Sequence, residues 1–508
     1  MQPLLLSTLN AKYVHASFGL RCLAANMGNL TPRTRVAEFD INQRALEIVE
    51  ALLAPAPALI GLGVYVWNAR QTLEVVRLLK RIAPTVPIIL GGPEVSHESA
   101  DQEICALADV VICGEADLAF ADVCRALLAG QQPPRLVCAE PPDLAALASP
   151  YALYGSEDLA HRVLYVEASR GCPFRCAFCL SSLSPAVRQF PLERFLGEME
   201  SLLSRGARQF KFVDRTFYLH LPTSLAILDF FRQRLQPGLF LHFEIVPDRL
   251  PQPLLDALAA FPPGTLQLEA GVQTFNPEVA MRIHRQQDYA LLETNLRTLR
   301  AHTAAHLHAD LIAGLPGESL ASFGAGFDHL LTLRPHEIQV GILKRLRGAP
   351  IAEQTDAWGM VYAPDAPYEL LCNRDLDFPT MQRVRRFAKY WEHLANSGNY
   401  LKTIARLWEE GRSPFHAFLA FSDWAYQRLH RTDSISLNTW AETLFAYLTG
   451  PCSQEPGAVR ATLESDFTRA GRTERPAFLR QGEGSPSSAA ATPATAPKRQ
   501  RRHLPAGS

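Results

Sequence analysis

Three cysteines in the middle of the chain have the residue type and spacing that most clearly predict chemistry. Cys172, Cys176 and Cys179 are spaced C-x3-C-x2-C within VLYVEASRGCPFRCAFCLSS. A disulfide does not account for three thiols, and a structural zinc site normally has four protein ligands. Three thiolates can instead hold a [4Fe–4S] cluster and leave one iron open to another molecule. The alternative is that these cysteines are unrelated residues of one loop.

The residues around the cysteines predict the elements that position them. The apolar run LYVEA predicts a strand before the loop, and Gly171 and Pro173 keep the loop out of regular structure. With Phe178 inside the last spacing, this strand and loop resemble the motif of the radical S-adenosylmethionine (radical SAM) family. The resemblance implies that the open iron binds SAM and that Phe178 lies at the SAM site. It also implies that SAM is cleaved to a 5′-deoxyadenosyl radical, which takes a hydrogen atom from the substrate.

The segment around the cysteines alternates predicted strands and helices. Strands are predicted at 163–169, 209–214, 239–246, 265–274, 307–316 and 337–343. Six units are too few for a closed barrel of eight, and they resemble the open (β/α)6 barrel of radical SAM enzymes. The resemblance implies SAM contacts, besides Phe178, at Asp214, Glu244, Glu269, Gln273, Asp310 and Gly314. For Asp214 a structural ion pair with Arg215 is an equal alternative. The sequence predicts no catalytic residue.

The N-terminal segment has the same alternation and predicts a flavodoxin-like (Rossmann-type) α/β domain with a parallel sheet. Ligands of such sheets bind beyond the carboxyl ends of the strands. The segment has no G-x-G-x-x-G, so a nicotinamide cofactor is not expected. The small and polar residues at the strand ends resemble the cobalamin-binding domain that precedes many radical SAM domains. The cobalamin contacts implied by the resemblance are Asn10, His15, Trp67, Gly91, Gly92 and Glu115.

One departure from the cobalamin-binding pattern concerns His15. Cobalamin domains that ligate cobalt through histidine carry D-x-H-x-x-G after the first strand. Here the corresponding loop has His15 and Gly19 without an acidic partner and at a different spacing. A ligating imidazole is normally oriented by a carboxylate or carbonyl. We therefore expect that no histidine ligates cobalt and that His15 packs the loop, whereas Trp67 either packs near the corrin or closes the sheet edge.

The predicted domain order has five parts. These are a cobalamin-binding-like domain at 1–135, a linker at 136–162, a radical SAM barrel at 163–350, an α-helical domain at 351–468 and a disordered tail at 469–508. The helical domain resembles a C-terminal domain of unknown function found in some cobalamin/radical SAM proteins. The tail is rich in Ser, Ala, Pro and Thr and lacks a periodic apolar pattern, which is typical of disorder.

Composition limits the possible partners and locations. The chain has 508 residues, 47% apolar and 20% charged, with a formal net charge of −1. That charge does not favour nucleic acid or an anionic membrane. No apolar stretch has the length of a membrane span, the N-terminus lacks a basic signal-peptide region, and the cysteine spacings outside the triplet suggest no disulfide framework. A cytoplasmic location is therefore predicted.

Together these features predict a cobalamin-associated radical SAM enzyme that carries out methyl transfer, ring formation or rearrangement. A small molecule or biosynthetic intermediate is the expected substrate, and flavodoxin or ferredoxin the expected electron donor. One alternative is a tRNA methylthiotransferase-like enzyme, which would need three further N-terminal cysteines for a second cluster. Another is a cobalamin or redox sensor without catalysis.

Overall fold

The structure is a computed structural model that describes residues 2–409, 411–472, 474–479 and 497–503. The chain divides into two compact units. The first comprises Met1–Arg215, Lys344–Ala352 and Ala363–Glu369, and the second comprises Thr216–Leu343, Glu353–Tyr362 and Leu370–Ser508. Because this division falls inside the segment predicted as one barrel, the predicted domain boundaries stay predictions.

A parallel six-stranded sheet begins the first unit. Its strands are β1 (Leu4–Asn10), β2 (Thr34–Asp40), β3 (Leu59–Gly63), β4 (Ile88–Gly91), β5 (Val110–Gly114) and β6 (Leu136–Ala139). The order is β2-β1-β3-β4-β5-β6, so the first five strands have the flavodoxin-like order that the sequence predicted. The prediction missed β6 and placed it in the linker, because four residues after two prolines carry too short a pattern to indicate a strand.

Helices cover both faces of this sheet. They are α1 (Phe18–Ala25), α2 (Ala45–Leu53), α3 (Ala69–Ile82), α4 (Glu103–Leu107) and α5 (Ala119–Leu128). Successive side chains of a strand point to opposite faces, so Leu5 joins one apolar core and Leu6 the other. The first core includes Ile48 of α2, and the second includes Phe120 of α5. Every residue of β1 is buried, which explains why four of its seven residues are leucine.

The first unit continues through the cysteine segment. Its further elements are α6 (Ser156–His161), β7 (Leu164–Val166), β8 (Ser169–Arg170), β9 (Arg188–Gln189), α7 (Leu192–Ser204) and β10 (Gln209–Phe212). Strand β7 pairs in parallel with β10, and β8 pairs antiparallel with β9. The strand predicted at 163–169 is therefore two short strands, of which β8 leads directly into the cysteine loop.

The second unit contains four adjacent parallel strands. These are β11 (Phe240–Ile245), β12 (Leu266–Gln273), β13 (His306–Ala313) and β14 (Glu337–Ile342). They alternate with α8 (Leu221–Arg232), α9 (Gln252–Ala259), α10 (Pro277–Arg282), α11 (Tyr289–His302) and α12 (Leu320–Thr332), and a hairpin of β15 (Val361–Tyr362) and β16 (Leu370–Cys372) follows. With β7 and β10, all six strands predicted for the barrel segment are present.

The remainder of the second unit is helical, as predicted. Its helices are α13 (Phe378–Trp391), α14 (Leu401–Ala405), α15 (Pro414–Leu429), α16 (Leu437–Thr449), α17 (Pro456–Arg469) and α18 (Lys498–Arg501). Phe387 packs against Trp391, Phe415 and Phe418, and all four are buried. The aromatic stripe is therefore core. No helix in the described segments is both long and apolar enough to cross a membrane.

The predicted disordered tail falls largely on residues 480–496 and 504–508, which lie outside the described residues. Residues 497–503 differ from the prediction because they dock within the second unit. Arg499 Nε lies 2.8 Å from Glu337 Oε1, and its Nη1 lies 2.6 Å from Glu392 Oε1. Composition did not reveal this, since an arginine held by two carboxylates is stabilised by its partners rather than by an apolar pattern.

Candidate functional site

The loop that carries the three cysteines is shaped by its own backbone. It follows β8 through Gly171, which has a φ of +95° and where a Cβ would lie 2.1 Å from the carbonyl oxygen of Ala186. Only glycine fits there. The Cys172 N–H donates to the Ser184 carbonyl at 2.9 Å, and the Cys179 N–H donates to the Cys176 carbonyl at 3.0 Å. The first contact joins the start of the loop to its end, and the second forms a turn between Cys176 and Cys179.

The donor set fits a [4Fe–4S] cluster better than a single metal ion. Cys172 and Cys176 are buried and Cys179 is half-buried. All ten cysteines lie in described segments, and none forms a disulfide. Among the described residues, no three His, Cys, Asp or Glu side chains are arranged to hold one metal ion. A cubane cluster does not require that arrangement, because each thiolate binds a different iron atom.

Arg170 ties the cysteine loop to the turn that follows β5. Its Nη1 lies 2.8 Å from Glu115 Oε2 and 2.8 Å from Asp117 Oδ2, and its Nε lies 3.0 Å from Glu167 Oε2. Arg188 of β9 also contacts Glu115. Glu115, predicted to contact cobalamin, is thus held by two arginines of the cysteine segment.

Two further carboxyl groups are buried beside this loop. Burial raises the pKa of Glu167 to about 7, although Arg170 acts in the opposite direction. Burial likewise raises the pKa of Asp214 to about 6. Asp214 accepts hydrogen bonds from the Ala168 N–H at 3.0 Å and from Ser169 Oγ at 2.6 Å. Its carboxyl group therefore fastens the end of β10 to the start of β8.

The raised pKa of Glu167 predicts a pH-dependent stability. Between about pH 4.5 and 7 the folded protein keeps a proton on this carboxyl that the unfolded chain loses, so the free energy of unfolding falls as pH rises through that window. In Glu167→Gln, the decrease in the free energy of unfolding between pH 5 and pH 8 should be smaller by roughly 1–3 kcal/mol. Thermal unfolding of the cofactor-free protein at pH 5 and pH 8 measures it, with exposed Glu50→Gln as the control. An unchanged pH dependence in Glu167→Gln would contradict the assignment.

A cavity of about 260 Å³ opens at the carboxyl ends of the N-terminal strands, wholly within the first unit. Its glycines are Gly19, Gly61, Gly63, Gly91, Gly92 and Gly114. Gly92 has a φ of +107°, and a Cβ there would lie 2.5 Å from the Val64 carbonyl oxygen. A Cβ on Gly61 would lie 2.7 Å from the Phe120 ring. Gly61 and Gly92 are therefore required by the packing of the chain around the cavity, whereas a Cβ on Gly91 would meet only an ordinary contact at 3.7 Å.

The predicted cobalamin residues divide into two groups. Gly91, Gly92 and Glu115 line the cavity, whereas Asn10, His15 and Trp67 lie outside its lining. Asn10 Nδ2 donates to Glu38 at 3.0 Å, and Trp67 stacks on Tyr65 with ring centroids 4.4 Å apart. His15 Nδ1 lies 2.7 Å from the Tyr165 hydroxyl, and burial lowers its pKa. The contact of His15 with Tyr165 agrees with the expectation that His15 packs the loop. That no histidine ligates cobalt stays a prediction.

The predicted SAM residues of the second unit lie on neighbouring strands. In the parallel registers Glu244 is opposite Glu269, and Glu269 is opposite His308 of β13. Glu269 Oε2 lies 2.9 Å from His242 Nε2, and Asp310 Oδ1 lies 3.1 Å from His308 Nε2. These acids are therefore paired with histidines. Phe178 and Asp214 belong to the first unit.

Two predicted positions of the second unit are backbone features. Gln273 ends β12 with a φ of +72°, and Gly314 follows β13 with a φ of +91°. A Cβ on Gly314 would lie 2.5 Å from Leu370 Cδ2, so the turn after β13 needs glycine. Whether these positions contact SAM stays a prediction.

The sequence interpretation missed His242 and His308. Despite burial, the carboxylates of Asp310, Glu337 and Glu269 raise the pKa of His308 to about 9. Each histidine lies two residues before a predicted acid on the same strand, so both share that acid's face. The two-residue period of a strand was the signal that could have found them.

Comparison with known domains agrees with this geometry. A profile of the B12 binding domain matches residues 5–124, and one of the radical SAM superfamily matches residues 166–329. A third, described as a protein of unknown function (DUF4080), matches residues 356–504. The chain is therefore a radical SAM protein with an N-terminal B12-binding domain and a C-terminal DUF4080 domain. These domains imply a [4Fe–4S] cluster, SAM and cobalamin, which confirms the cofactor predictions.

Curated relatives share part of the chain. 2-(S-pantetheinyl)-carbapenam-3-carboxylate methyltransferase of Streptantibioticus cattleyicolor is 27% identical over 361 residues, which covers 61% of this chain and 51% of that protein. The cobalamin-dependent radical SAM methyltransferase TokK of Streptomyces tokunonensis is 25% identical, with the same coverages. Ribosomal protein uS12 methylthiotransferase RimO of an Anaeromyxobacter species is 28% identical and covers 40% of this chain and 44% of RimO. The chain thus spans about half the length of these relatives or less.

Solved structures show the same fold. The radical SAM methyltransferase TsrM from Kitasatospora setae, with tryptophan and a SAM analogue bound, has a TM-score of 0.56 at 17% identity and covers 72% of this chain and 77% of TsrM. The cobalamin-dependent SAM radical enzyme OxsB with aqua-cobalamin bound has a TM-score of 0.59 at 13% identity and covers 92% of this chain and 79% of OxsB. At these identities the likeness concerns the fold.

Proposed function

We propose that this protein is a cobalamin-dependent radical SAM enzyme that transfers a methyl group to a small organic molecule. The observation that carries the proposal is that ion pairs within the first unit connect the cysteine loop to the glycine-lined cavity. Arg170 lies two residues before Cys172 and holds Glu115 and Asp117, which line the glycine cavity. The cysteine loop and the cavity therefore share one set of ion pairs, which supports a reaction that uses both cofactors.

In this proposal each element has a separate task. Cys172, Cys176 and Cys179 hold the cluster, and the glycine cavity takes one arm of cobalamin. When bound, the cofactors supply reductive cleavage of SAM, hydrogen abstraction from the substrate and a transferable methyl group. The chain binds and orients them, and the burial of Cys172 and Cys176 keeps water from two of the thiolates. An electron donor such as flavodoxin or ferredoxin would reduce the cluster.

The paired acids and histidines of the second unit are proposed to bind SAM or substrate. Glu269 is hydrogen-bonded to His242 of the neighbouring strand, and Asp310 forms an ion pair with His308 on its own strand β13. A carboxylate held by a histidine is fixed in orientation and can accept a hydrogen bond from an ammonium or hydroxyl group. These are the polar groups that SAM and small metabolites carry. The relative named for a carbapenam and the structure with tryptophan bound support a small-molecule substrate.

Cofactor counting tests the proposal and separates it from its main alternative. We expect protein reconstituted without oxygen to contain about four irons, about four sulfides and one corrinoid per chain. The likeness to RimO favours a methylthiotransferase as second candidate, which would contain two clusters, about eight irons, and no corrinoid. A sensor without catalysis would bind the cofactors but would not cleave SAM under reducing conditions. Two clusters without a corrinoid, or bound cofactors without cleavage of SAM, would overturn the proposal.

A further inference from the structure

Two cysteines outside the cluster loop face each other across the edge of the N-terminal sheet. Cys113 of β5 and Cys138 of β6 are register partners, next to the pair Val111 and Leu136. Directly opposed residues of parallel strands share a face and have Cα atoms about 4.8 Å apart. A disulfide spans Cα distances of about 4.4–6.8 Å. The register therefore gives the pair a Cα spacing within the range of a disulfide, and both residues are free thiols in the structure.

The environment of the pair admits an oxidant from one side. Cys138 is exposed on the edge strand β6. Cys113 is half-buried and its Sγ donates to the Val95 carbonyl at 3.8 Å. Burial raises the pKa of Cys113, and the adjacent Cys138 raises it further. A reagent therefore meets Cys138 first and Cys113 second.

A third cysteine lies nearby but is inaccessible. Cys105 of α4 is only 4% exposed, and burial raises its pKa to about 11, with Cys113 contributing. A buried thiol with a raised pKa reacts slowly. In addition, Cys138 lies on the short edge strand β6, directly opposite Cys113 in the register of β5 and β6. These observations favour Cys138, rather than Cys105, as the partner of Cys113.

We propose that Cys113 and Cys138 form a modification site that hydrogen peroxide converts into a cross-strand disulfide. The Cys138 thiolate attacks one peroxide oxygen, the O–O bond breaks, and a sulfenic acid and water form. The Cys113 thiol then attacks the sulfenic sulfur, the S–O bond breaks, and the S–S bond forms with release of a second water. The two thiols lose two electrons and two protons in total, and one peroxide is reduced to two waters.

The site is connected to the cofactor region through the end of β5. Gly114 follows Cys113 with a φ of +82°, and a Cβ there would lie 3.0 Å from the Ala139 carbonyl oxygen. The next residues include Glu115 and Asp117, which hold Arg170. A disulfide fixes the spacing of β5 and β6 immediately before this turn. Oxidation of the pair therefore acts on the turn that supports the cysteine loop.

Peptide mapping of the full chain tests the proposal. Purified protein, before cluster reconstitution, is treated with limiting hydrogen peroxide, its remaining thiols are alkylated, and it is digested without reductant. Cleavage at Asp109 separates Cys105 from Cys113. We expect the dominant cross-linked peptide to join Cys113 to Cys138 at a mass two hydrogens below the sum of its parts, and to disappear after reduction.

Matched variants keep the test decisive. Because Cys138 is exposed, Cys138→Ser should abolish the cross-link without affecting folding. The control variant Cys124→Ser should leave the cross-link in place. Cys124 is fully buried on α5 and contributes no accessible thiol. Alkylation of both Cys113 and Cys138 after peroxide treatment would overturn the proposal. So would a dominant Cys105–Cys113 cross-link, or sulfinic acid at Cys138 without a disulfide.

Discussion

Cys176→Ala should reduce the iron content of the reconstituted protein from about four atoms per chain to less than one, and should abolish SAM cleavage. The physical reason is that each of three thiolates binds its own iron, so removal of one leaves an iron with no protein ligand. Cys176 lies between the other two in the C-x3-C-x2-C loop, and its side chain is 5% exposed. Water in that position cannot replace a thiolate. Iron analysis, cluster absorption and detection of 5′-deoxyadenosine measure the effect.

The control for Cys176→Ala is a cysteine outside the cluster loop that lies far along the chain. Cys372→Ala, on the half-buried β16, should keep the full iron content and SAM cleavage. Both variants remove one small side chain and should change the free energy of unfolding by less than about 2 kcal/mol. Circular dichroism of the cluster-free proteins checks that both fold. A Cys176→Ala variant that binds the complete cluster and cleaves SAM would show that the loop is not the cluster site.

Gly91→Leu should lower corrinoid affinity at least about tenfold while iron content stays at about four per chain. Gly91 ends β4 and lines the glycine cavity, and its φ is not in the left-handed region. The nearest atom to an added Cβ is the Ile112 carbonyl oxygen at 3.7 Å, an ordinary contact. A leucine there occupies ligand space without straining the backbone. Titration with a corrinoid, followed by absorption, gives the affinity.

Gly91→Ala is the matched control for the cavity. A single methyl group meets only that 3.7 Å contact, so binding should change by less than about threefold. Gly92→Ala is unsuitable, because its Cβ would lie 2.5 Å from a backbone oxygen and would disturb the fold itself. Undiminished corrinoid binding by Gly91→Leu would mean that cobalamin does not enter this cavity.

The sequence predicted those elements that depend on local pattern. Apolar runs with the right period gave the first five strands of the N-terminal sheet and the six strands of the barrel segment. Glycines at strand ends were recognisable because a close approach requires a missing Cβ, and Gly91 and Gly92 do line the cavity. The cysteine triplet was recognisable because a [4Fe–4S] cluster needs three thiolates close together, and the C-x3-C-x2-C spacing supplies them within one short segment.

Features that depend on partners distant in the chain escaped prediction. The ion pairs of Glu115 with Arg170 and Arg188 were not predicted, because no local pattern links residues so far apart, whereas its contact with cobalamin stays a prediction. Strand β6 is recognisable only beside β5, which supplies its pairing. Asn10, His15 and Trp67 were predicted from their places at the ends of strands, and they lie outside the lining of the cavity because Asn10 ends β1 itself and the other two follow the paths of their loops. Their contact with cobalamin stays a prediction.

The docking of Arg499 has a consequence for the timing of synthesis. Its partner Glu337 precedes it by 162 residues. At about 5–20 residues per second, roughly 8–30 s pass between the emergence of the two side chains. During that interval the partners that lower the pKa of Glu337 are His306, at 2.9 Å in the finished fold, and His308, at 3.5 Å. The second unit therefore reaches its final charge balance late in translation, whereas the N-terminal sheet has all of its strands within the first 139 residues and can fold first.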